Sequence, residues 1–128
     1  MKEEIFLDYV TRGDLAEIER LIGEGVNIHY ENENGDNALI IAAKRGYMDV
    51  VRVLLEAGSH IYSTNKYGHN PLIVAAMQCH PEVVKVILEF SKKVSERKTP
   101  SVVAIMAANS LESQGCTDVA EMLRTNPG

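Results

Sequence analysis

The sequence predicts an all-α solenoid of about four stacked helix-turn-helix units. Three observations lead to it. Glycines, asparagines and apolar pairs return at one spacing, seen in Gly35 and Gly68, which are 68 − 35 = 33 residues apart. Each unit divides at a glycine into two short segments whose apolar residues fall at helical intervals. The 128 residues are 45% apolar but only 5% aromatic, so the core must be built from Ala, Val, Ile and Leu.

The same offset links Gly13 to Gly46, Gly25 to Gly58, Asn32 to Asn65 and Leu39 to Leu72. Ala42-Ala43 returns as Ala75-Ala76, Val50-Val51 as Val83-Val84, and Leu54-Leu55 as Ile87-Leu88. A chance period would not preserve the glycines and the apolar pairs together. No linker separates the copies. The reading is one domain, residues 1–128, with units at approximately 1–31, 32–64, 65–97 and 98–126.

In the first unit, Ile5, Phe6, Tyr9 and Val10 fit the buried side of a helix. Leu15, Ile18, Leu21 and Ile22 fit a second helix, with Asp14 near its cap. In the middle unit, Asn34-Gly35 signals a turn and Asn37 caps a helix through Lys44. Leu39, Ala42 and Ala43 give that helix a face of small volume, which lets a neighbour approach closely. Gly46 ends it, where positive φ is needed. A second helix follows from about Met48 to Ala57. Its stripe is Val50, Val51, Val53, Leu54 and Leu55, and Gly58 stops it.

The third unit places Pro71 and Pro81 in the first turns of its two helices, where a missing N–H costs nothing. Leu72, Ala75 and Ala76 face inward in the first. Val83, Val84, Val86, Ile87 and Leu88 do so in the second. Ser91 replaces the glycine expected there, and Lys92 to Lys98 reads as a basic, polar tail. In the fourth unit, Pro100 opens a helix holding Val103, Ala104, Ala107 and Ala108. A longer loop, Leu111 to Gly115, precedes a short helix with Val119, Ala120, Met122 and Leu123. No unit can bury its apolar residues alone, so stacked neighbours must share one core.

Composition excludes several function classes. A net charge of −5 argues against a broad phosphate-tracking surface. The basic clusters Lys44-Arg45 and Lys92, Lys93, Arg97, Lys98 are short and interrupted by acids, so no nucleic acid is expected. No apolar run approaches the length of a membrane span, so no membrane partner is expected either. The only two cysteines, Cys79 and Cys116, read as free thiols in a reducing compartment, hence an intracellular, cytoplasmic location. His29, His60, His69 and His80 invite a metal reading. Stacking is expected to bring His29 and His60 within roughly 10 Å of each other, which is read as already too far to share an ion. Phosphate loops, zinc-binding helices and nucleophile elbows do not occur. No cofactor and no catalytic residue is expected, and the chain reads as a monomer.

These residues carry a family likeness. The chain resembles the ankyrin repeat family in the turns Asn32-Glu33-Asn34-Gly35 and Asn65-Lys66-Tyr67-Gly68. The likeness continues in Asn37-Ala38-Leu39-Ile40 and Asn70-Pro71-Leu72-Ile73, the paired alanines, the paired valines and Gly58-Ser59. It covers about residues 2 to 91 well and the last third loosely. The family's Thr-Pro-Leu-His is altered here. Asn37 and Asn70 can replace its Thr as caps, but Ile40 and Ile73 cannot replace the His that ties neighbouring turns.

The resemblance implies a non-enzymatic module that binds another protein. Its partner face would be the concave side, made of turn tips and first helices. On this chain those positions are Glu33, Asn34, Asp36, Lys44 and Arg45, then Lys66, Tyr67, His69, Met77 and Gln78. Glu3, Asp8, Thr11 and Arg12 would add a weaker contribution from the first unit. Tyr67 is the expected anchor and Met77 an adaptable apolar contact. Two rival readings stand beside this one: a self-associating structural cap of a larger assembly, and a small-ligand binder or enzyme using the irregular stretch Asn109 to Asp118.

Overall fold

The computed structural model describes residues 2–61 and 63–94, and every statement below concerns those residues. Six helices follow in order: α1 (Lys2–Arg12), α2 (Leu15–Gly23), α3 (Ala38–Arg45), α4 (Met48–Glu56), α5 (Pro71–Met77) and α6 (Pro81–Val94). Each odd-numbered helix packs on the even one that follows it. In addition α3 lies between α1 and α5, while α4 lies between α2 and α6. The result is an all-α solenoid of two helix layers around one continuous core.

Local chemistry starts four of the six helices, α2, α3, α5 and α6, where the sequence calls for it. The Asn37 side chain accepts from the Ile40 N–H at 2.9 Å, and the Asn70 side chain from the Ile73 N–H at 2.8 Å. These bonds satisfy donors that a helix leaves open at its start. Asp14 does the same for Glu17 at a longer 3.4 Å. Pro71 and Pro81 both occupy first-turn positions.

The inner helices also end alike. The N–H groups of Asp14, Tyr47 and His80 donate to the carbonyls of Tyr9, Ala42 and Ala75, each at 3.0 Å. This closure requires a left-handed residue just before it. Gly46 supplies it at φ 79°, and the corresponding residue of the third unit is Cys79 at φ 59°. Cys79 therefore holds a backbone conformation that side chains disfavour. Cys79 is disulfide-bonded, which corrects the reading of two free thiols and removes the argument from them for a reducing compartment. The other cysteine, Cys116, lies outside the described residues.

Packing explains the choice of small residues. Ala42, Ala43, Ala75 and Ala76 have no exposed surface, as expected where inner helices are neighbours on both sides. Leu39, Ile40, Val51, Leu54, Val83, Val84 and Ile87 are equally enclosed. Two departures concern particular elements. Ile5 is 50% exposed, and Leu7 is buried beside Phe6 and Val10 instead. The α6 helix continues to Val94, past the position where a polar tail was expected to begin. Ser91 offers no left-handed stop, so the helix runs on. The fourth unit, residues 98–126, lies outside the described residues.

Replacing Leu54 or Leu72 with Ala leaves a cavity between neighbouring units. The expected loss is about 2–5 kcal/mol at Leu54 and toward the lower end at the slightly exposed Leu72. Urea unfolding of both variants measures it.

Candidate functional site

The turns between units are built on asparagine. Asn32 accepts from the N–H groups of Asn34 and Asp36 at 2.9 and 3.0 Å, and Asn65 accepts from those of Tyr67 and His69 at 2.9 and 3.1 Å. Each side chain thus folds its own tip. The tips are then joined to one another. The Lys66 N–H donates to the Asn34 carbonyl at 3.0 Å, and the Asn65 amide donates to the Asp36 carboxylate at 2.9 Å. Gly35 permits this approach, because a Cβ there would sit 2.8 Å from the Lys66 nitrogen.

A second set of links crosses between units at the other end of the inner helices. The Tyr47 hydroxyl donates to the Thr11 carbonyl at 3.1 Å. His80 Nε2 lies 3.0 Å from the Lys44 carbonyl. A carbonyl only accepts, so Nε2 carries the proton. These ties anchor the ends of α1 and α3 to the following units.

Between tips and inner helices runs an open concave groove. Its middle section encloses about 460 Å³ and includes Asn34, Asp36, Lys44, Arg45 and Gln78 in its lining. The section toward the third unit, about 320 Å³, adds Tyr67, His69 and Met77. Glu33 lines a further section of about 700 Å³ toward the first unit. Nine of the ten principal face residues anticipated from sequence therefore line this one feature, and Lys66 does not appear in its lining.

Their surroundings differ. Tyr67 is 64% and Met77 41% exposed. Glu33, Asn34, Lys44, Arg45, Lys66 and Gln78 are exposed and His69 is half-buried. Asp36 is buried at 7% and committed to Asn65, so this residue of the anticipated partner face does not stand open to solvent. In the first unit, Asp8 and Arg12 pair with each other at 3.0 Å. The Thr11 hydroxyl donates to the Leu7 carbonyl at 2.8 Å, and the Glu3 carboxylate accepts from the Asn27 N–H at 3.1 Å. Sequence reasoning missed Glu4, Glu31, Asn32, Tyr47 and His80 as lining residues. For Tyr47 and His80 a signal existed, since 80 − 47 = 33.

Two of the histidines meet across adjacent units. His29 and His60 stack with ring centroids 4.5 Å apart and planes at 16°, inside the bound of roughly 10 Å expected from stacking, so distance alone does not keep them apart as the sequence reading held. Two adjacent exposed turns meet at this point. Among the described residues no group of three or more His, Cys, Asp or Glu is placed to hold a metal ion.

Comparison with known proteins agrees with this architecture. The sequence model for ankyrin repeats in three copies matches residues 7–98, well over half of the chain. The chain belongs to the ankyrin repeat family. A crystal structure of the human ASB11 ankyrin repeat domain superposes with a TM-score of 0.77 at 24% identity, covering 96% of this chain. At that identity the likeness is one of fold. This chain spans 54% of that one. No curated protein matches it. Ankyrin repeats generally mediate contacts between proteins and are typically non-catalytic scaffolds.

The buried carboxylate between the tips gives this ankyrin chain a specific weakness. Asp36→Ala strands the Asn65 amide and is expected to cost about 1.5–3 kcal/mol, while Asp36→Asn keeps an acceptor and most of that stability. Thermal or urea unfolding of the two variants, with the exposed Asp8→Ala as control, measures the difference.

Proposed function

We propose that this chain is a non-enzymatic module that binds another protein along the concave groove. The observation that carries the reading is the coincidence of an ordered, hydrogen-bonded scaffold with exposed apolar side chains. Tyr67 and Met77 are large hydrophobics left open to solvent, and both face the section of groove that Lys44 and Gln78 also line. A tyrosine offers a large contact area at low rotamer cost, and a methionine adapts to irregular surfaces. The tips are held by backbone and asparagine bonds before any partner arrives, which lowers the ordering cost of association.

The groove is open along its length, which suits a protein surface or segment better than an enclosed small molecule. The self-associating cap remains the rival to be separated by experiment. The rival based on Asn109 to Asp118 falls outside the described residues.

An affinity pull-down with the wild-type chain beside a Tyr67→Ala, Arg45→Glu double variant tests the face. Both positions are exposed, so the double variant is expected to fold, as unfolding curves will show. A protein captured by the wild type and lost by the variant is the expected result. Identical capture lists reject the surface.

A further inference from the structure

The tips form a row, and toward the first unit the row ends in an open edge. Between the second and third units, two donors of one tip hold the tip before it. The Lys66 N–H donates to the Asn34 carbonyl at 3.0 Å, and the Asn65 amide donates to the Asp36 carboxylate at 2.9 Å. Their counterparts one unit earlier are the Glu33 N–H, since 66 − 33 = 33, and the Asn32 amide, since 65 − 33 = 32. The Asn32 side-chain oxygen accepts from the N–H groups of Asn34 and Asp36, as that of Asn65 does in its own tip, which leaves the Asn32 NH2 group to donate elsewhere. Among the described residues neither the Glu33 N–H nor that NH2 group has a partner.

The first unit explains the gap. The helix α3 begins at Ala38, whose counterpart is residue 38 − 33 = 5, yet α1 already begins at Lys2. Helix therefore stands where a tip would be. Glu3, the counterpart of Asp36, lies inside α1, and its carboxylate accepts from the Asn27 N–H instead. An open section of about 700 Å³ adjoins the edge, lined by Glu4, Tyr30, Glu31 and the tip itself. The ion pairs among the described residues join Lys2 to Glu24, Arg12 to Asp8, and Arg20 to both Glu17 and Glu24, so Glu4, Glu31 and Glu33 remain unpaired. Nor are they grouped to hold a metal ion. Open donors and uncompensated carboxylates thus share one place.

We infer that this edge takes a segment of a partner protein that continues the row of tips. The segment presents a backbone carbonyl to the Glu33 N–H and, two residues on, the side-chain oxygen of an Asp or Asn to the Asn32 amide. That is the relation in which Asn34 and Asp36 meet the next tip. Lysine or arginine beside these groups meets Glu4, Glu31 and Glu33. The inference rests on the reading of the chain as a protein-binding module but not on the contact at Tyr67 and Met77. The hydrogen bonds set the register of the segment, while charge attracts it and rejects acidic competitors. The net charge of −5 works in the same direction at a distance. A nucleic acid does not suit the edge, because the same carboxylates repel its phosphates.

Random peptides displayed on phage and selected on the immobilised full chain test this. Glu33 is the second residue of a turn closed by the Gly35 N–H on the Asn32 carbonyl at 3.0 Å. Proline suits that position, so Glu33→Pro removes the donor and is expected to keep the urea midpoint. Lys66→Pro, the same change one unit on, cuts the bond to Asn34 and is expected to lower it. Glu33→Ala loses the carboxylate but keeps the N–H. Peptides that bind Glu33→Pro are removed first, and the remainder is selected on the wild type. The expected winners carry Lys or Arg together with Asp or Asn. As labelled synthetic peptides they are expected to bind Glu33→Pro at least about fivefold more weakly than Glu33→Ala, the worth of one net hydrogen bond. Asn32→Asp keeps the acceptor that folds the tip but loses the donor, and a similar loss against the wild type is expected despite its added negative charge. An absence of winners, winners without basic residues, or equal binding to the proline and alanine variants overturns the inference. So does a concentration-dependent mass in light scattering that Glu33→Pro abolishes, because it seats a second copy at the edge. The Tyr67→Ala, Arg45→Glu variant is expected to retain these peptides. If the pull-down rejects the Tyr67 face while the winners behave as expected, the edge stands without that face. The reverse result removes the edge and leaves the face.

Discussion

A ring from one unit fills the space that a glycine leaves in the unit before it, and the position of every inner helix depends on this fit. A Cβ added to Gly13 would meet the Tyr47 ring at 3.2 Å, and one added to Gly46 would meet the His80 ring at 2.7 Å. The same rings bond to the Thr11 and Lys44 carbonyls, each two residues before the glycine. The glycine therefore has two functions. Its left-handed backbone ends the helix, and its missing side chain admits the next unit. Shape and hydrogen bonding agree at each of the two junctions, as a stack of weak units requires, since each unit draws its stability from its neighbours.

This tie carries through to the groove. The rings fix the ends of α1 and α3 that bear Thr11, Arg12, Lys44 and Arg45. At the opposite side, the Asn34 to Lys66 and Asp36 to Asn65 bonds fix the tips. The groove walls are thus held at both edges by bonds between units rather than within them. Side chains that stay free of this framework, Tyr67, Met77, Lys44 and Arg45, are the ones left to meet a partner.

Much of the fold was legible because it repeats. Asn37, Asn70, Pro71 and Pro81 announce helix starts through backbone chemistry that acts within a few residues, and the structure uses each as expected. What escaped were contacts made across units. His80 reads as a metal candidate in isolation, and only its neighbour 36 residues earlier shows it to be a strut. Asp36 reads as an exposed acid because it stands in a turn, whereas the Asn65 amide from the next turn buries it. The stacking of His29 on His60 is equally invisible locally. Ile5 and Leu7 lie about 200° apart around α1, and the packing of α1 on α2 and α3 turns the Leu7 side inward.

The most direct measurement of the ring-and-glycine fit is a double-mutant cycle of Gly46→Ala with His80→Ala by urea unfolding. Gly46→Ala alone suffers both the left-handed backbone and the collision with the ring. Once the ring is gone, only the backbone cost of roughly 1–2 kcal/mol should persist. The account predicts a coupling of at least about 1 kcal/mol between the two sites, well above the scatter of independent mutations. Strict additivity would contradict it, since it would mean that the ring and the glycine do not sense each other.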